Sequence, residues 1–356
     1  MSLERARLCG VLLLASACAH EESFESNYTP LAGPLEPGPP VIIARSALED
    51  QFASWLPDGS GILYSYIPDP DGPRDRCLGL LPPGGGQIYR SRCYRLDLAN
   101  DSTDVLGESA ARSAEEVAWV EQHNLAGRLV PDYGAITVGA LSEAAQAQRL
   151  VTFPYVAASG SVHATATSLR WLSATQLAYI GNDIVVRALC KMCRPDTVIV
   201  AKEVMLLDRR GGPPQVLAGS EQTTSIWPTA DGTGLYYTLG GDTRVWRRAV
   251  AGGTPEMVHD FGPAGIVRDI SVAGNRLSAI VGGNVSYGPE QNIPLRQIDS
   301  GGNLATVNLT TGEATVLQIE KVCFRRPALS PSGHAVVVEQ VDSTGPNPNL
   351  LLYPLP

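Results

Sequence analysis

The sequence predicts an all-β fold, a six-bladed β-propeller of four-stranded antiparallel blades. Three observations lead there. Short apolar alternations of period two, the pattern of half-buried strands, run from Val41 to the end of the chain. Gly, Pro and Asp punctuate them at close intervals. A two-part unit, one hairpin followed by another, recurs at a period of about 40–65 residues, the length of a propeller blade. A lone four-stranded sheet cannot bury both faces, whereas radial stacking of blades does so. A β-sandwich has strands at similar spacing but no two-part repeat.

The N-terminus stands apart. MSLERARLCGVLLLASAC has a basic start (Arg5, Arg7) and an apolar run from Leu8 to Ala15. That run is shorter than the roughly 20 residues a bilayer span needs, and it has the form of an export signal. Ala15-Ser16-Ala17 is a small-x-small cleavage site. The same stretch followed by Cys18 resembles the lipobox of bacterial lipoproteins, with Ala15 where leucine is usual. That resemblance implies lipid attachment at Cys18, and a soluble secreted or periplasmic form is the alternative. A cytoplasmic N-terminal element is a third and less favoured reading. The expected division is signal peptide 1–17, lipid anchor and Pro-rich tether 18–40, and propeller 41–356. Residues 19–40 are polar and then rich in proline (PLEPGPP), a composition that buries too little apolar surface to fold alone. Stretched at about 3.1 Å per residue, they reach roughly 70 Å. No later segment is apolar for long enough to span a membrane as a helix.

The first hairpin of the unit is clearest in SWLPDGSGILYSY (54–66). Pro57 fixes φ ahead of the turn, Asp58-Gly59 makes the turn, and an apolar strand follows. SIWPTADGTGLYYTL (225–239) and RPALSPSGHAVVVEQ (326–340) repeat it, with weaker copies at 168–181 and 269–281. The second hairpin appears as CYRLDLANDSTDVLG (93–107), EVMLLDRRGGPPQVLAG (203–219), RVWRRAVAGGTPEMVHD (244–260) and LATVNLTTGEATVLQ (304–318), and in degraded form at 135–153. These units predict blades at 46–110, 111–153, 154–220, 221–262, 263–319 and 320–356. VIIARS (41–46) has no hairpin partner nearby and is expected to join the last blade as a closing strand.

Trp55 to Tyr64, in the form W-x-P-D-G-x-x-I-x-Y, followed by L-D-L at Leu96 to Leu98, resembles the WD40-like repeats of TolB-type six-bladed propellers. The resemblance covers most of residues 45–356. It implies a periplasmic setting and work by binding proteins, often with a peptide entering the central channel. Repeat residues such as Trp55, Asp58 and Gly59 are scaffold in that family, so no catalytic role is assigned to them.

A net charge of −9 with three lysines (Lys191, Lys202, Lys321) argues against a nucleic-acid partner, which favours a basic surface. Of seven cysteines, Cys9 leaves with the signal and Cys18 is the lipid site. Export places the rest in an oxidising space. Cys77 and Cys93 bracket a Gly/Pro-rich stretch read as an insertion in blade 1, and a disulfide is expected between them. Cys190 and Cys193 form a C-x-x-C pair read first as a local disulfide. A redox pair lacks its βαβ setting, and a metal half-site lacks its second half. Cys323 is left over and reads as a small buried apolar residue, unless it pairs with another cysteine and upsets that scheme.

The histidines (His20, His123, His163, His259, His334) show no metal-site spacing, and no G-x-S-x-G nucleophile elbow is present. PDPDG (68–72) reads as a turn, because a calcium loop of the EF-hand type needs a longer ligand series. No cofactor or metal is expected. The long stretches 67–92 and 282–302 carry Arg74, Arg76, Arg90, Arg92, Tyr287 and Arg296, residue types that anchor protein partners on loops. The bland reading of these stretches is that they are solvated insertions. The functional expectation is a lipid-anchored envelope propeller that binds a protein or peptide, touching membrane only through its anchor. The alternatives are an envelope hydrolase or lactonase using carboxylates or calcium in the channel, and a passive scaffold.

Overall fold

The computed structural model describes residues 40–44, 50–68, 76–94, 102–125, 133–142, 146–187, 196–262, 265–282, 286–287, 294–296, 301–317, 322–342 and 345–356. Six antiparallel sheets stand around one axis. Strand β1 (Val41–Ala44) precedes blade 1, which holds β2 (Asp50–Trp55), β3 (Ile62–Tyr66), β4 (Arg76–Leu81) and β5 (Arg90–Tyr94). Blade 2 holds β6 (Ser102–Ser113), β7 (Glu116–Leu125), β8 (Tyr133–Gly139) and β9 (Ala147–Phe153). A small hairpin, β10 (Tyr155–Val156) and β11 (Val162–His163), leads into blade 3. That blade holds β12 (Thr165–Trp171), β13 (Gln176–Arg187), β14 (Asp196–Asp208) and β15 (Gln215–Val216).

Blade 4 is β16 (Thr223–Pro228), β17 (Gly234–Leu239), β18 (Arg244–Ala249) and β19 (Glu256–Asp260). Blade 5 begins with β20 (Val267–Ala273) and β21 (Arg276–Val281). Two short strands follow, β22 (Ser286–Tyr287) and β23 (Pro294–Arg296), and β23 pairs with β14 of blade 3. Blade 5 ends with β24 (Asn303–Asn308) and β25 (Ala314–Leu317). Blade 6 is β26 (Val322–Leu329), β27 (Ala335–Asp342) and β28 (Gly345–Pro354), with β1 as its outer strand. Val41 lies opposite Leu352 and Ile42 opposite Leu351, so the two ends of the chain close the ring as expected.

Two boundaries differ from the sequence expectation. Blade 2 begins at β6, so residues 102–107 open that blade and do not finish blade 1. The stretch from Cys77 to Cys93 is not an insertion: β4 and β5 are the second hairpin of blade 1. The misreading has a physical cause. Leu78, Leu80 and Leu81 are all buried in a short strand ending at Pro82-Pro83, and such a strand shows no alternation.

Each interface between blades carries its own apolar cluster. Leu63, Leu78 and Leu80 of blade 1 meet Val117 and Trp119 of blade 2. Ile136 and Val138 of blade 2 meet Leu177, Tyr179 and Met205 of blade 3. Ile62, Tyr64 and Leu81 of blade 1 meet Ala328, Val337 and Leu350 of blade 6 and Ile43 of the closing strand. A fully buried side chain of this size contributes about 1.5–3 kcal/mol, and the ring gains that from both faces of every sheet.

The recurring tryptophan adds a polar stitch. Trp55 Nε1 donates to Ala328 O of blade 6 (2.9 Å), and Trp171 Nε1 donates to Ala110 O of blade 2 (3.1 Å). The Asp-Gly turn also has a packing reason. Gly232 has φ +69°, and a Cβ there would stand 2.1 Å from the Leu172 carbonyl oxygen of blade 3. Asp58 and Asp231 tighten their turns by accepting the amides of Ser60 and Thr233, both at 3.0 Å.

The strand directions separate two faces. The hairpin turns 56–61, 172–175, 229–233 and 330–334 lie on one, with the start of β1. The connections 67–75, 126–132, 188–195 and 282–302 all leave from the other.

Candidate functional site

The innermost strand of each blade is β2, β6, β12, β16, β20 or β26, and all six carry a bulge against their neighbour. The extra residue falls between Gln51 and Ser54, Leu106 and Ser109, Thr167 and Arg170, Thr223 and Ser225, Val267 and Asp269, or Arg325 and Ala328. In three of these bulges a non-glycine residue has positive φ: Phe52 (59°), Ser168 (51°) and Arg326 (44°). That conformation is costly and re-aims side chains, and it is often retained where a site needs it.

The bulges turn their side chains into the central channel. Phe52, Glu108, Ser109, Arg170, Asp269 and Arg326 line a common pocket there. The cavity left between them is about 20 Å³, room for about one water molecule. The charges are matched. Glu339, fully buried, accepts from Arg326 NH1 through Oε2 (2.5 Å) and from the Phe52 amide through Oε1 (2.8 Å). Arg326 also lies over the Phe52 ring at 4.1 Å. Arg170 is 3.8 Å from Glu108 and lies over the Trp227 ring at 4.7 Å. Burial opposes the charge on Arg326, but Glu339, with Glu108 and Asp269 beyond it, raises its pKa above the ordinary value. Burial lowers Arg268 to about 10 against the pull of Asp269.

A second polar cluster lies at the loop face between blades 2 and 3. The His163 side chain is fully buried on β11, with Nε2 3.3 Å from Glu203 Oε1 but without hydrogen-bond alignment. Ser159 Oγ donates to the same oxygen at 2.6 Å. The carboxylate, not the imidazole, receives the serine hydroxyl, which is the reverse of a nucleophilic triad. Burial lowers the His163 pKa, and Glu203 opposes that shift. Among the described residues, no three of His, Cys, Asp and Glu gather as metal ligands.

The residues singled out from sequence are scattered. Cys77 and Cys93 face each other on β4 and β5 and are joined by a disulfide. Arg90 pairs with Glu115, and Arg92 lies 5.1 Å over the Trp119 ring and donates to Ser142 O (2.9 Å), so both serve the contact between blades 1 and 2. Arg76 lies on β4. Tyr287 and Arg296 lie on β22 and β23, and the backbone of Arg296 pairs with Ile199 of blade 3. The structure therefore gathers Arg76, Arg90 and Arg92 on the sheet of blade 1 and places Tyr287 and Arg296 on that of blade 3. Cys18, Arg74, Cys190 and Cys193 lie outside the described residues.

Sequence reasoning missed Glu108, Arg170, Asp269, Arg326 and Glu339. One signal was available for Arg326: it stands three positions before Leu329, as Phe52 stands before the aligned Trp55. In blades 1 and 6 the repeat frame thus marks the pocket position.

No protein-family model matches the chain, and no curated protein matches it. A gluconolactonase from Xanthomonas campestris has a TM-score of 0.53 at 14% identity, over 92% of this chain and 98% of that one. A candidate TolB from Agrobacterium tumefaciens gives 0.50 at 12%, over 88% and 93%. The β-propeller domain of Cps50 from Myceliophteria thermophila gives 0.50 at 10%, over 91% and 100%. At these identities the likeness is one of fold alone: the chain is a six-bladed β-propeller similar in architecture to lactonase, TolB-type and WD40 propellers.

Proposed function

We propose that this propeller binds a protein or peptide partner in the cell envelope through its loop-bearing face. One observation carries the reading: at the level of the bulges the channel is filled by Arg326–Glu339, Phe52, Glu108 and Arg170, leaving space for about one water. A peptide is larger than that space, which favours contact at a face over passage through the ring. Connections on a rigid scaffold carry recognition more often than the scaffold itself. The proposed setting keeps Cys18 as a lipid attachment site and Cys190–Cys193 as a local disulfide in an oxidising compartment. Arg74, Tyr287 and Arg296, in or beside those connections, are the proposed partner contacts. Arg76 belongs to the same proposal, at the start of β4 on that face.

The test is photocrosslinking in intact cells from exposed Val186, at the loop-face end of β13, with exposed Thr311 in a turn of the opposite face as control. A reproducible protein adduct from position 186 alone is expected. Adducts from neither position, or from 311 only, would overturn the reading.

A second reading is enzymatic: Glu108 and Asp269 line one pocket with two arginines, and this reading requires those side chains to swing aside and admit a substrate larger than one water. Its test is hydrolysis of a sugar lactone by the purified protein. Activity lost in Asp269→Asn with the fold intact would establish it, and no turnover would end it.

A further inference from the structure

Strand β1 enters blade 6 from the turn face, and Pro40 immediately precedes it. Beside that entry lies a groove at the junction of blades 6 and 1, lined by Trp55, Pro83, Pro331, His334 and Leu352. Leu352 is the cross-strand partner of Val41. Large apolar surface gathers there. Val41 is 44% exposed, and Tyr89, 49% exposed, reaches toward the turn at Gly61 that borders the groove. The chain that arrives at this point is Pro30-Leu-Ala-Gly-Pro-Leu-Glu-Pro-Gly-Pro-Pro40. Proline at this density favours the polyproline II helix, whose conformational entropy is already spent. Grooves with aromatic linings receive such helices, and Trp55 supplies the aromatic side chain here.

We infer that residues 30–40 dock in the Trp55–Pro331–Leu352 groove of their own propeller, as a proline-rich strap across the junction where the ring closes. Covalent attachment makes this possible with modest contacts. A short tether holds its ligand at an effective concentration of about 1 mM, so an intrinsic affinity of about 0.1 mM keeps the groove roughly nine-tenths filled. Glu36 adds an acceptor for His334, which is exposed at the groove. The strap covers Val41 where β1 enters blade 6. The inference does not depend on the partner-binding reading or on lipid attachment, since residues 30–40 follow both candidate cleavage points.

The experiment uses the full chain with a photoreactive phenylalanine analogue in place of Leu35. Intramolecular adducts confined to Trp55, Pro83, the 330–335 turn and Leu352 are expected. Adducts spread over the surface, adducts to a second copy or to a foreign protein, or no adduct at all would overturn it. A second variant, with Pro34, Pro37, Pro39 and Pro40 changed to Gly, leaves every described contact of the propeller in place. Its amides at 332–335 are expected to exchange up to about tenfold faster, in line with the nine-tenths occupancy. Unchanged exchange would also overturn the inference.

Discussion

Glu339 holds two blades with one carboxylate: Oε2 accepts from Arg326 at 2.5 Å within blade 6, and Oε1 accepts the Phe52 amide of blade 1 at 2.8 Å. Its side chain is fully buried and that of Arg326 nearly so. Removing one partner strands a buried charge, whereas replacing both by apolar groups does not. Glu339→Gln is expected to cost about 3–5 kcal/mol in urea denaturation. The pair Arg326→Met with Glu339→Leu is expected to cost clearly less. A double variant as damaging as the sum of the singles would contradict this account.

The indole stitches are expected to act independently. Trp55→Phe and Trp171→Phe keep an aromatic ring but lose the N–H to Ala328 O and Ala110 O. Each is expected to lower stability by about 1 kcal/mol, with additivity in the double variant because the two bonds lie at different interfaces. Thermal midpoints of the four proteins check this.

Acid is expected to loosen the contact between blades 2 and 3. Burial depresses the His163 pKa below its usual 6.5 in the folded protein, although Glu203 opposes the shift, with Lys202 and Asp183 making smaller contributions. Below pH 6.5 the unfolded chain therefore takes up a proton that the folded one resists, and stability falls as the pH drops toward the depressed value. Burial acts on His259 in the same direction. His163→Gln is expected to flatten the pH dependence of the urea midpoint between pH 7 and 5. Hydrogen exchange at 155–163 should lose its acid sensitivity in the same variant.

The Cys77–Cys93 bridge is expected to matter for stability. It closes a loop of sequence separation 16, for which chain entropy suggests about 3 kcal/mol. Cys77→Ser with Cys93→Ser is expected to approach that loss in denaturant midpoints. Intact mass before and after reduction reports the bond directly.

The propeller was legible because its determinants are local. Pro57-Asp58-Gly59 and Ala230-Asp231-Gly232 announce turns, and alternation announces half-buried strands. Val41 to Ala44 could be assigned to the last blade because a strand without a local partner has to find a distant one. Two kinds of element escaped. β4 and β6 hid because small or wholly buried residues, such as Ala110, Ala111 and Leu78 to Leu81, show no period of two. The channel residues hid because a bulge shifts the pleat by one residue, which sends Arg170 and Arg326 inward against the alternation of their own strands. The arginines chosen on β5 were conspicuous for their charge, but Glu115 and Trp119 already engage them.

The sharing of blade 6 between β1 and β26–β28 also sets an order of events during synthesis. A ribosome releases Val41 hundreds of residues before Leu352, so the first strand emerges long before the neighbour it zips onto. Until translation nears its end, blade 1 faces water where blade 6 will stand, with Ile62, Tyr64 and Leu81 uncovered. The ring is thus a clasp that snaps shut last, and a prematurely terminated nascent chain would remain an open, sticky arc for chaperones to hold or proteases to clear.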